Sequence, residues 1–136
     1  MSSNIHFDPQ TGATEADRLG AEITELCGYI YAATSHLLEL IREFDENRYW
    51  EEQGFASCAS WLNFKCGFGS NAARERLRVA HALKALPKIS AEFSQGKISY
   101  SKVRAVTRAA TPENEDLLLM VAKHGNASNV ERLVSQ

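Results

Sequence analysis

The sequence predicts an all-α protein, a long amphipathic N-terminal helix followed by a multi-helix bundle that contains a helix-turn-helix. Three observations carry this expectation. Leu19, Ile23, Leu26, Ile30, Ala33, Leu37, Leu40 and Phe44 recur at alternating spacings of four and three residues, a heptad seam. After residue 55, short apolar-periodic segments are preceded by Ser or Thr and followed by Gly or Pro, the side chains that start and stop helices. The chain has 136 residues, 44% hydrophobic and 24% charged, which fits one ordinary globular domain.

Residues 1–13 are polar and predicted to be disordered. They lack a basic start and an apolar stretch, which argues against a signal peptide and points to the cytoplasm. Thr14 with Asp17 three residues on resembles a capping box and opens a helix running to Asp45. Such a helix is about 48 Å long, and a domain of this size is only about 30 Å across. The overhang needs a partner, and the seam Leu19, Ile23, Leu26, Ile30, Leu37, Leu40 and Phe44 predicts a homodimer. A bend near Gly28, giving two shorter helices within one bundle, is the alternative. Asn47 to Gly54 breaks the pattern and completes a first region, 14–55; Tyr49 and Trp50 are expected to pack back, with Glu51 and Glu52 in solvent.

Region 56–136 reads as a helical bundle. Ser57 can cap Cys58–Cys66, closed by Gly67, and Ser70 can cap Asn71–Leu86, stopped by Pro87. Pro87–Gln95 is closed by Gly96, and Ser99 can cap Tyr100–Ala110. Thr111 and Pro112 open a further helix ending at Gly125. A last one begins at Ser128 and still shows apolar positions (Val130, Leu133, Val134) where the sequence stops, which predicts a truncated bundle, a piece of a longer protein.

Charge is strongly polarised. Residues 56–110 hold ten Lys/Arg against Glu75 and Glu92, net +8, whereas residues 1–55 hold three Arg against eleven Asp/Glu, net −8. Two short helices joined by the turn Gly67-Phe68-Gly69-Ser70 describe a helix-turn-helix. On the second, Leu77, Val79, Ala80, Leu83 and Leu86 gather on one side, and Arg74, Arg78, His81 and Lys88 on the other. Arg104 and Arg108 share a face of the Tyr100–Ala110 helix, with Lys97 and Lys102 flanking its start. These eight residues are the candidate nucleic-acid contacts, since long cationic donors reach phosphates and guanine edges. Arg76 falls in the apolar sector and is expected to be a structural ion-pair partner. The opposing reading is that the acidic first helix simply neutralises the basic segment.

Other chemistry has little support. Cys27, Cys58 and Cys66 form no close pair, and eight residues of helix separate the last two by about 12 Å, too far for a disulfide; buried free thiols are expected. No pair of close Cys/His couples suits zinc. His6, His36, His81 and His124 are scattered, and the Gly67 turn lacks a phosphate-loop ending. No catalytic residue, metal or cofactor is therefore predicted. No apolar run approaches the roughly 20 residues of a membrane helix.

The ordered string Ser57…Trp61-Leu62…Gly67…Ala72…Leu77-Arg78-Val79-Ala80…Leu86-Pro87…Phe93…Gly96-Lys97-Ile98-Ser99…Lys102-Val103-Arg104…Thr111-Pro112 resembles the 13E12-repeat family, domain of unknown function 222. The resemblance spans about Arg18 to Val134. It implies a bacterial or phage-associated helical domain of the kind commonly found in front of an HNH endonuclease domain. A DNA-targeting role, with an HNH nuclease domain in cis as partner, follows from it. Leu86-Pro87 with Gly96-Lys97-Ile98-Ser99…Arg104-Ala105-Val106 is locally similar to the DNA-binding region of the partition protein ParB. There, a helix-turn-helix is followed by Leu-Pro, a short helix and Gly-Lys-(Leu/Ile)-Ser. This chain departs by an extra turn residue near Gly69 and a longer Ser70–Pro87 helix. The rival class is an oligomerisation module, in which the seam pairs chains and the basic face meets acidic protein.

Overall fold

The computed structural model describes Gly12 and residues 14–135; apart from Gly12, the segment 1–13 expected to be disordered lies outside them. The described chain is all-helical: α1 Glu15–Glu46, α2 Tyr49–Glu52, α3 Cys58–Cys66, α4 Ser70–Ala82, α5 Pro87–Ser94, α6 Tyr100–Val106, α7 Glu115–His124 and α8 Ala127–Val134. A 3-10 turn, Leu83–Ala85, extends α4.

α1 opens on the expected capping box: Thr14 accepts from Asp17 N, and the Asp17 carboxylate accepts from Thr14 N. It runs unbroken through Gly28, so the alternative of a bend there does not hold. Gly28 serves a close approach instead. Its carbonyl lies against Gly96, in the turn between α5 and α6. Beyond that contact, the C-terminal half of α1 lies across α4 and α5 and buries Ser35, Leu38 and Ile41. Trp50 of α2 folds back beneath it, donating to Asp45 Oδ1 at 3.0 Å; Tyr49 stays exposed, 6.0 Å from Phe44 ring to ring.

α3 begins at Ser57, whose hydroxyl accepts from Ser60 N, and ends at Gly67 with φ +76°. Gly67 N donates to Asn63 O and Phe68 N to Leu62 O, a left-handed helix end that glycine adopts without a Cβ penalty. α3 packs directly on α4 across this turn, a helix-turn-helix-like pair. α4 is the central element, touching α1, α3 and α6, with Ala73, Val79 and Ala80 fully buried. α5 rests on α1 and α7, and α6 on α7 and α8. Phe93, Ile89, Leu86, Val103, Val106 and Val130 join the α4 residues in one continuous core.

Several helix ends differ from expectation, each for a local reason. Gly69, not Ser70, is the α4 N-cap, and Ser70 is already helical. The Asn71–Leu86 helix tightens into 3-10 geometry after Ala82, where Pro87 supplies no donor to extend it. α6 stops at Val106 rather than Ala110: the Thr107 hydroxyl takes the Val103 and Arg104 carbonyls, competing with the helical ladder. Thr111 and Asn114 close a separate turn by exchanging side-chain bonds, so α7 starts at Glu115 and not at Pro112. Asn126 with Asn129 forms the capping box of α8, two residues before the Ser128 start. Of the thiols, Cys58 is buried, Cys27 half-buried and Cys66 exposed, so burial of all three is corrected. Burial pushes the Cys58 thiol up to about 12, so it stays protonated and inert.

Candidate nucleic-acid interface

Arg74 and Arg78 lie one turn apart on α4, and Arg104 and Arg108 one turn apart along α6 and its extension. Three of these four meet at Glu75. Its carboxylate accepts from Arg78 Nε at 3.0 Å and Nη2 at 3.2 Å, from Arg104 Nε at 2.8 Å and from Arg108 Nη2 at 3.4 Å. Arg78 also donates to Arg104 O at 3.0 Å and Thr107 Oγ1 at 3.4 Å. One carboxylate thus fixes three guanidiniums that are each about a third or more exposed. The patch carries three positive charges and one negative; Arg74, exposed one turn from Arg78 on α4, makes no bond to it among the described residues.

The Glu75 carboxyl is pulled down to about 2, first by the bonds from Arg78 and then by those from Arg104. A carboxyl held below its ordinary value of 4.5 contributes stability that is complete above that value and is lost as pH falls toward 2. Because the arginines are partly solvated, we discount the contribution to about 1–2 kcal/mol. Glu75→Gln should therefore destabilise the domain by that amount at neutral pH. The gap between variant and unmutated chain should close between pH 4.5 and about 2 in acid-unfolding curves; a gap independent of pH would show that ionisation of Glu75 is not its source.

Among the described residues Arg76 has no partner for the ion pair expected of it. Its guanidinium is sandwiched between the Phe68 and Tyr100 rings, 4.5 and 4.9 Å from their centroids, a cation–π arrangement that suits a half-buried arginine. Beside it the Tyr100 hydroxyl is buried with no hydrogen-bond partner.

The remaining sequence-derived candidates are dispersed. His81 Nε2 lies 2.7 Å from Asp45 Oδ2 of α1, next to Lys84, which is 2.8 Å from Glu46. Lys88 binds Asp116 at 2.8 Å. Lys97 faces Glu92 at 3.8 Å, a carboxylate it shares with Lys123. Lys102 is half-exposed, on α6. The structure therefore gathers Arg78, Arg104 and Arg108 at Glu75; Arg74 stays exposed one turn from Arg78, and His81, Lys88 and Lys97 are taken up by carboxylates elsewhere.

The residues expected to pair chains divide along α1 between an exposed N-terminal part and a C-terminal part that meets the core. Leu19, Leu26 and Leu40 are exposed, as are Ile23 at 63% and Ile30 at 53%, while Leu37 and Phe44 pack partly on the core. Among the described residues no group of three or more His, Cys, Asp and Glu could hold a metal ion. No helix among them is long and apolar enough to cross a membrane.

These features define an all-α, multi-helix domain with a helix-turn-helix-like pair and a long projecting helix. The family model described as Domain of unknown function (DUF222) matches residues 29–130, well over half of the 136-residue chain, and the chain belongs to that family. The match begins one residue after Gly28 and so leaves out the projecting Glu15–Gly28 part of α1. No curated protein and no solved structure matches the chain.

Sequence reasoning missed Glu75 as the hub of the arginine cluster. Its i,i+3 spacing to Arg78 was a readable signal; its bonds to Arg104 and Arg108, 29 and 33 residues away, were not.

Proposed function

We propose that this chain is a DNA-binding accessory domain, non-catalytic by itself, of a cytoplasmic HNH-endonuclease-type protein. The observation that carries the reading is the three-arginine patch of Arg78, Arg104 and Arg108, where one carboxylate preorganises the guanidiniums without cancelling their charge. Arginines held in a fixed fork lose little freedom when they meet phosphate oxygens. Family membership supports the association with an HNH domain in cis, because the family's usual place is in front of one.

If Arg78, Arg104 and Arg108 each meet one phosphate, the log–log slope of duplex affinity against salt should be about −2.7. Replacing Arg104 and Arg108 together by Ala should flatten it by about 2. Anisotropy titrations between about 50 and 200 mM salt measure both. Absence of binding at the lowest salt would overturn the proposal.

The exposed seam favours a second reading that coexists with the first, a homodimer. Its register places Ile23 and Ile30 at one heptad position and Leu19, Leu26 and Leu40 at the other, the side-chain choice of parallel two-stranded coiled coils. Burying this face removes apolar surface at about 25 cal/mol per Å², and pairing two chains would present two arginine patches to one DNA. Ile30 is exposed in the single chain, so Ile30→Asp should leave the fold intact and convert a dimer to a monomer in sedimentation at micromolar concentration. A monomer before mutation would reject the pairing.

A further inference from the structure

A second feature lies on the other flank of the helix-turn-helix-like pair. Between α3 and the start of α4 is an open cleft of about 610 Å³, lined by Phe55, Ser60, Asn63, Phe64, Ser70 and Arg74 among others, with no carboxylate in its lining. Phe64 is the most exposed large apolar side chain described, at 74%. Its ring is steadied rather than covered. Phe55 lies against it at 5.7 Å between centroids, tilted by 51°, and the Lys65 ammonium sits 6.0 Å from its centre.

The polar groups around the ring are partly unspent. Asn63 uses its amide N–H on Phe68 O at 2.6 Å, which leaves its side-chain oxygen to accept. Ser60 Oγ accepts from Ser57 Oγ at 3.0 Å, which leaves its own proton to donate. Ser70 and Arg74 follow one turn apart, and no side-chain bond or ion pair engages either among the described residues.

A flat apolar platform, neutral donors and acceptors at its edge and a free guanidinium one turn away match a ligand that is aromatic at one end and anionic at the other. A nucleotide has that chemistry, and a purely apolar peptide does not account for the arginine. In a duplex the base faces are already stacked on one another and a wedge between them must pay for unstacking, so a protruding aromatic side chain takes a base at least cost from an unpaired strand.

We propose that the cleft binds an unpaired nucleobase of single-stranded nucleic acid, stacked on Phe64, with Arg74 on the adjoining phosphate. This rests on the nucleic-acid reading above and extends it to a strand type and a second contact surface. It gives the domain two faces: the arginine cluster grips backbone, and the cleft captures a base that has left the stack.

The test uses the full chain, a fluorescein-labelled oligothymidylate and a duplex of the same length. Phe64→Ala should weaken single-strand binding about tenfold and leave its salt dependence unchanged, because no charge is lost. Duplex binding should be unaffected. Phe64→Trp should preserve the single-strand affinity, and Phe64→Leu, which keeps apolar area but no ring, should not. Arg74→Ala should reduce the single-strand salt slope by about 0.7. Thermal melts of the Phe64 variants should match the unmutated chain, since the ring is exposed. Duplex binding with a single-strand affinity indifferent to Phe64, or with Phe64→Leu equal to the unmutated chain, would overturn the cleft inference and leave the proposed function standing. Failure to bind either nucleic acid would overturn both.

Discussion

Gly96→Ala is expected to cost about 2–5 kcal/mol, whereas Gly28→Ala, at the other side of the same contact, should be neutral or stabilising by up to about 1 kcal/mol. The two glycines face each other where α1 crosses the α5–α6 turn, and the structure treats them differently. Gly96 has φ +75°, and a Cβ built there would lie 2.9 Å from the Gly28 carbonyl carbon and closer still to its oxygen. The side chain is thus penalised twice. An L-residue pays about 1–2 kcal/mol for the left-handed backbone. Pressing a methyl group into helical backbone costs about 1–3 kcal/mol more, because main chain cannot rotate aside as a side chain can. Gly28 is ordinary helix, and a Cβ there would meet Gly96 O at 3.5 Å, normal contact. Alanine then gains the roughly 1 kcal/mol of helix propensity that glycine forgoes. Urea unfolding should show the midpoint falling for one variant and holding or rising for the other at unchanged slope. Equal losses at both positions would mean that α1 and the turn are not packed as described.

This contact also shows what a linear reading can and cannot reach. Gly28 invites a bend when the sequence is read alone, because glycine weakens a helix locally and nothing nearby explains it. Its reason lies 68 positions away, at Gly96. By contrast, α1 itself was legible over nearly its whole length: the Thr14–Asp17 box and the seam to Phe44 are local signals, separated by three or four residues. The Ser57 and Gly67 boundaries of α3 were legible for the same reason. The ends of α4 and α6 were less so, since Pro87 and Thr107 act through geometry within the last turn rather than through a stop residue alone.

The candidate site divides along the same line. Helical-wheel arithmetic places Arg74 and Arg78 on one face of α4 but says nothing about which neighbour that face meets. His81 and Arg78 are three residues apart, yet His81 reaches α1 at Asp45 and Arg78 reaches α6 at the Arg104 carbonyl. Which cation is spent on an internal carboxylate depends on helix rotation and crossing, and those are set by the packing of Ala73, Val79 and Ala80. The opposed charges of the two regions therefore cancel only in part. Asp45 and Glu46 of α1 engage His81 and Lys84, while Glu22 and Glu25, farther along the projecting half, interact within α1 itself.

Glu115→Ala is expected to destabilise the domain by about 3–5 kcal/mol, among the largest effects of any polar substitution in the chain. Glu115 is only 3% exposed, a burial that a carboxylate tolerates only when its oxygens are paired. It stands in the first turn of α7 and reaches across to the start of α5, where Oε2 accepts from Lys88 N and Ile89 N, both at 2.8 Å. The accounting for that helix start is complete. Leu86 N donates to Leu83 O, Ser90 N to Leu86 O, and Pro87 has no N–H to satisfy. The two amides left over are those bound by Glu115. The negative charge is also favoured by the positive ends of two helix dipoles, its own and that of α5. Alanine would orphan both amides and leave a void where the carboxylate stood. Glutamine keeps an acceptor of the same reach and should lose less than half as much. α5 carries Ile89 and Phe93 into the core and leads to the Gly96 turn on which α1 rests, so its N-terminal turn should open first. Hydrogen exchange at Lys88 and Ile89 should accelerate in Glu115→Ala beyond the change set by global stability. An Ala variant as stable as the unmutated chain would show that water can replace the carboxylate at this helix end.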